Sequence, residues 1–151
     1  MQAFTISKAA HEAGVGVETI RFYERRGLID QPEKPGYTGY RHYSAETVRR
    51  IRFIRKAQQI GFSLREIQEL LWLRADPVAD CSDVRQKAAS KIDEVDEKIM
   101  ELKKIRKALE KVIADCPGRG ALKGCTILEA LQDGEQLENQ MPSTRTRRKI
   151  K

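Results

Sequence analysis

Residues 7–27, SKAAHEAGVGVETIRFYERRG, hold two short helical periods on either side of a glycine turn. Ser7 is a candidate N-cap for a helix running through Ala13, Gly14-Val15-Gly16 supplies the turn, and a second helix over ETIRFYERR ends at Gly27. This is a helix-turn-helix pattern. In the second helix Val17 and Ile20 are apolar, while Thr19, Arg21, Tyr23 and Arg26 carry the hydroxyls and guanidinium groups that meet phosphates and base edges. A small helical core would show the same pattern, so the charge balance has to decide between the two readings.

The 151-residue chain carries a net charge of +7, unevenly spread. Residues 1–74 hold 13 Lys/Arg against 8 Asp/Glu, residues 75–138 hold 11 against 14, and residues 139–151 hold 5 basic residues and no acidic one. A basic head suits a polyanion such as nucleic acid.

Outward from the helix-turn-helix, PEKPGYTGYRHYS (residues 32–44) breaks helical periodicity with Pro and Gly, then alternates aromatics around Arg41. It reads as a tight hairpin or wing in which Tyr40 and its neighbours brace Arg41 against a sugar-phosphate backbone, although tyrosines packing a small core account for the rings equally well. His42 reads as a surface histidine. Ser44 then caps AETVRRIRFIRKAQQI, whose Val48, Ile51, Ile54 and Ala57 form an apolar stripe with arginines opposite, and Ser63 caps LREIQELLWL. Residues 1–80 are thus expected to form a winged helix-turn-helix domain with connecting helices.

From Asp83 to Ala114 there is no glycine or proline, and Ile92, Val95, Ile99, Leu102, Ile105, Leu109 and Val112 recur at three- and four-residue steps. This predicts a dimerisation helix over 81–114, too long for the rest of the chain to cover, so that self-pairing buries the stripe. The three cysteines bracket that helix: Cys81 before it, Cys116 after it and Cys125 beyond a Pro/Gly loop. An unbroken helix of this length holds its ends ~50 Å apart, so one chain cannot join the thiols. Two antiparallel chains can, each Cys81 meeting the partner's 115–132 segment, a metal-binding loop and short helix. The helix dipole attracts negative charge at Cys81 and opposes it at Cys116, where Arg119 and Lys123 compensate.

VETIRFYERRGLI, the YRHY wing, IRFIRKAQQIGFSLREIQELL and the spacing of Cys81, Cys116 and Cys125 together resemble the MerR family of metal-responsive transcription regulators, most of all its mercury-sensing branch. The resemblance covers about residues 4–132. It implies a mainly α fold, a winged helix-turn-helix followed by a long helix that forms an antiparallel coiled coil. It also implies a homodimer on double-stranded promoter DNA that remodels the DNA for RNA polymerase when metal binds. DNA contacts then fall on Thr19, Arg21, Tyr23 and Arg41, and the ligands for Hg(II) on Cys81 of one subunit with Cys116 and Cys125 of the other. Branches that sense monovalent copper have serine at the position of Cys81, so a divalent ion is implied. Pb(II) and Cd(II) fit the loop composition as well.

No paired carboxylates, nucleophilic triad or phosphate-cradling glycine loop appears, which argues against an enzyme. A thiol redox sensor using Cys116 and Cys125 is the alternative on the same scaffold. No apolar run approaches the ~20 residues of a membrane span, and no signal segment is visible, so a cytoplasmic protein is expected. The basic stretch 133–151 is expected to be a disordered tail.

Overall fold

The structure, a computed structural model, describes residues 3–36 and 39–133. The chain divides into two compact units, Met1–Lys87 and Ala88–Lys151. The expected tail lies outside the described residues, apart from Asp133 at its start.

The first unit begins with strand β1 (Ala3–Phe4), helix α1 (Ile6–Ala13) and helix α2 (Val17–Arg25). Thr5, not Ser7, caps α1: its backbone is extended and its hydroxyl accepts the Lys8 N–H at 3.4 Å, which places Ser7 inside the first turn. Gly14 closes the helix in the left-handed region at φ 68°, donating to the Ala10 and His11 carbonyls, where a Cβ would be strained. Strand β2 (Tyr43–Ser44) and helices α3 (Ala45–Gln59) and α4 (Leu64–Ala75) follow. Ser44 caps α3 through the Thr47 N–H, and Ser63 with Glu66 forms a reciprocal capping box on α4. Both caps stand where the sequence places them.

The anticipated hairpin is absent among the described residues of the wing. Tyr43 and Ser44 pair instead with the N-terminal strand, antiparallel, in the register Phe4 with Tyr43 and Ala3 with Ser44. The wing is an irregular excursion whose base is sewn to the head by that two-residue ladder. A Cβ on Gly39 would collide with the Pro35 carbonyl oxygen, so only glycine fits there.

The core of this unit joins every helix of the head. Ile20 of α2, Ile51 and Ile54 of α3 and Ile67 of α4 are fully buried, and Val48 and Ala57 complete the α3 stripe. Burying each such side chain is worth ~1.5–3 kcal/mol. The arginines opposite that stripe also hold the fold. Arg50 Nε donates to the Leu28 carbonyl, beyond the end of α2, at 2.7 Å, and Arg52 donates to the Glu12 carbonyl, one of the oxygens that the end of α1 leaves unpaired.

Helix α5 (Cys81–Ala114) is unbroken over 34 residues, and α6 covers Thr126–Asp133. Cys81 is the first residue of α5 rather than its predecessor, because Asp80 makes the cap: its Oδ1 accepts the Ser82 N–H at 2.8 Å, and Asp83 Oδ2 accepts the Asp80 N–H at 3.0 Å. The Ser82 backbone N–H, and after it the Ser82 side chain, hold the Asp80 carboxyl below its usual range. Along α5, Ile92, Val95, Ile99, Leu102 and Leu109 are exposed, as an unpaired seam requires, and Val84 and Ile113 extend it. Val112, three residues on from Leu109, borders that row and is buried together with Ala108.

Candidate DNA interface and thiol sites

On α2 the buried residues Ile20 and Tyr23 define the inward face, so Glu18, Arg21 and Arg25 point outward. Arg21 Nη1 pairs with Glu18 Oε1 at 3.1 Å, with half of the arginine side chain exposed. Such an exposed pair is weak enough for a phosphate or base to replace. Arg25 stands one turn along the same face, four residues on, and the sequence reading missed it; the i, i+4 spacing from Arg21 was the available signal.

Tyr23 is a correction to that reading. Its side chain is 1 % exposed and its hydroxyl donates to Gln58 Oε1 of α3 at 2.5 Å, so it braces α2 against α3 instead of facing DNA. Burial raises its pKa above the usual phenol value, against the opposing influence of Arg55.

Arg21, Lys34, Tyr40 and Arg41 line one groove between α2 and the wing, with Glu24 and Tyr43 at its floor. Arg41 is held there by its Nε, which donates to the Pro32 carbonyl at 2.9 Å across the wing, and Tyr40 is exposed. Thr19 lies in a separate shallow depression with His11, Gly16 and Arg55, beside the turn that precedes α2. Arg26 caps the end of α2, exposed, with its guanidinium 5.5 Å above the Phe22 ring. Arg21, Tyr40 and Arg41 are therefore brought together, while Thr19 and Arg26 flank them.

The three thiols are free, Cys81 exposed and Cys116 and Cys125 half-buried. Among the described residues no three His, Cys, Asp or Glu side chains gather into a cluster able to hold a metal ion. Cys81 opens α5 and Cys116 follows its last residue by two positions, and a helix of that length spans about 51 Å at ~1.5 Å per residue. Cys116 Sγ accepts the Gly118 N–H at 3.5 Å, which folds the loop back over the sulfur. Cys125 precedes α6, and its carbonyl accepts the Glu129 N–H at 3.0 Å as an N-cap carbonyl does. Two of the three sulfurs thus stand at helix N-termini, where the dipole favours a negatively charged ligand atom; only Cys116 sits at a C-terminus.

The sequence matches the description "MerR HTH family regulatory protein" over residues 4–72 and "MerR, DNA binding" over residues 48–112. It is 39% identical over 137 residues to the mercuric resistance operon regulatory protein of Pseudomonas fluorescens, covering 91% of this chain and 93% of that protein. A lead(II)-bound transcription regulator of Ralstonia metallidurans CH34 superposes with a TM-score of 0.74 at 30% identity, covering 85% of this chain and 98% of the other. A mercury(II)-bound MerR of Bacillus megaterium MB1 superposes with a TM-score of 0.65 at 34% identity, covering 83% and 96%.

Proposed function

Because this chain belongs to the MerR family of helix-turn-helix transcriptional regulators, a family of DNA-binding proteins and not of enzymes, we propose that it is a regulator that binds promoter DNA as a homodimer and responds to mercury(II). The observation that carries this reading is the placement of Cys81 and Cys116 at opposite ends of one unbroken α5 whose row of Val84, Val95, Ile99, Leu102, Leu109 and Ile113 is left exposed by the described residues. Antiparallel pairing of two such helices buries the row and carries each Cys81 to the partner subunit's loop.

The donor chemistry fits a thiophilic ion. Three thiols, none in a disulfide and with no oxygen donor cluster among the described residues, select soft divalent metals over magnesium or calcium. Cys81 of one subunit with Cys116 and Cys125 of the other would hold the ion. When bound, mercuric ion supplies metal–thiolate bonds that cross-link the two chains. The residues of this chain do the rest. Asp80 and Asp83 fix the turn that presents Cys81, the Gly118 N–H orients Cys116, and the start of α6 orients Cys125. In the head, Arg21, Arg25 and Arg41 engage phosphates and base edges, with Thr19, Arg26 and Tyr40 at the margins. Tyr23 is left out because it is core. RNA polymerase then reads a promoter whose geometry the dimer has changed.

Lead(II) is the second reading, supported by the superposition with the lead-bound regulator, and cadmium(II) suits the same three thiols. Titrating the purified dimer with each ion against a competing small thiol, while counting the thiols left reactive, tests both. Mercury should protect all three cysteines at two ions per dimer. A higher competitive affinity for lead or cadmium would move the assignment to that ion, and protection of only Cys116 and Cys125 would refute the shared site.

A further inference from the structure

Lys87, less than two turns into α5, reaches back to α4 and places Nζ 2.6 Å from Glu69 Oε2, with both side chains about one-third exposed. Arg65 Nε lies 3.9 Å from the other carboxylate oxygen, so Glu69 serves two cations. The setting makes this pair more than surface decoration. Helix α4 is anchored in the head by Ile67 and Leu71, both buried, so Glu69 stands on a fixed support. No residue of α5 from Cys81 to Lys107 is buried, so the start of α5 lacks the apolar burial that holds α4. The connection between the helices is itself turned by side-chain hydrogen bonds, Asp76 Oδ1 accepting the Val78 N–H at 2.9 Å and Asp80 capping Cys81's helix. A polar hinge capped at Cys81 thus carries a charged tie to the head six residues further on.

We propose that the Glu69–Lys87 pair is a positioning clasp: it fixes the direction in which the first two turns of α5 leave the DNA-binding head, and so passes the state of Cys81 to α4. The clasp rests on the reading of Cys81 as a metal ligand. A rigid helical segment links the two residues, for Cys81 and Lys87 are about 9 Å apart along the helix axis. A pull on the Cys81 sulfur therefore moves Lys87 with it, and Glu69 is the group of the head that meets that movement. Because the pair is partly solvated, it contributes little to stability. Its effect is directional: it selects one orientation of α5 among those the hinge allows, which is the differential contact that coupling between two sites requires.

The test uses the full-length dimer carrying Glu69→Gln, Lys87→Met, Lys87→Arg, or the exchanged pair Glu69→Lys with Lys87→Glu. Four quantities are read: melting temperature, promoter affinity without metal, mercury stoichiometry against a competing thiol, and the ratio of in vitro transcription with and without mercury. The two single losses should leave melting temperature and mercury stoichiometry nearly unmoved but lower the transcription ratio about tenfold, within the range usual for coupled sites. Lys87→Arg should keep the ratio, and the exchanged pair should recover most of it. An unchanged ratio in Glu69→Gln, or no recovery in the exchanged pair, would overturn the clasp. If the parent protein itself binds no mercury, the proposed function fails first, an outcome that the stoichiometry of the unmodified dimer identifies by itself.

Discussion

The phenol of Tyr43 donates a 2.5 Å hydrogen bond to Oε1 of Glu24, tying the strand at the base of the wing to the second helix of the helix-turn-helix. Tyr43 is buried and its partner carboxylate faces the groove that Arg21 and Arg41 line, so a single bond sets the spacing between the two elements that would meet DNA. Burial first, then the bond to Glu24 and its charge, push the Tyr43 pKa well above 10.0.

Tyr43→Phe should therefore lower the stability of the head by ~1–2 kcal/mol in urea unfolding, since Glu24 loses a buried partner. The pH dependence has a definite sign. A phenol whose folded pKa is raised contributes stability that is intact below its unfolded value near 10.0 and is lost as pH rises above it. Stability should fall above about pH 10 in the unmodified protein and fall less steeply in Tyr43→Phe, with the remaining slope belonging to Tyr23, whose pKa is also raised. Equal slopes in the two proteins would mean that Tyr43 does not carry the effect.

Subunit mixing tests the shared site. Cys81→Ser and Cys116→Ser dimers should each fail to take up mercury with all three thiolates, because every site in them lacks one sulfur. The mixed heterodimer holds one complete site and should bind one ion tightly. A mixture as inactive as its parents would place all the ligands within one chain.

Arg21→Ala and Arg41→Ala should each weaken promoter binding by ~1–3 kcal/mol without changing metal stoichiometry, as expected for a lost base or phosphate contact. Arg25→Ala should behave as they do, whereas Tyr23→Phe should alter stability and spare affinity. Fluorescence anisotropy on labelled promoter, over a range of salt, measures all four. Loss of affinity in Tyr23→Phe at undiminished stability would return that hydroxyl to the interface.

Leu102→Asp, in the middle of the exposed row on α5, should separate the dimer. Each subunit loses the burial of one leucine, ~1.5–3 kcal/mol per side chain, so the dimer dissociation constant should rise at least ~100-fold. Val112→Ala offers the contrast. It should loosen the Ala88–Lys151 unit, where Val112 is buried, and leave dimerisation less affected. Sedimentation at several concentrations separates the two outcomes.

What the sequence determined by itself is local. The caps at Ser44 and Ser63, the left-handed glycine closing α1 and the buried stripe of α3 all follow from residues within one or two turns of each other, because capping and helical periodicity act over that range. The long uninterrupted α5 with a thiol at each end is legible for the same reason. Tertiary structure decided the rest. Tyr43 pairs with Phe4, 39 positions away, because the N-terminal strand supplies backbone partners that the wing lacks, and no local pattern announces a pairing of that separation. Tyr23 turned inward because α3 offers its hydroxyl a partner in Gln58 and covers its ring, while Arg21, two residues earlier, stayed outside. A helix fixes the angle between its side chains, but which of them meets water is set by the elements that pack against it.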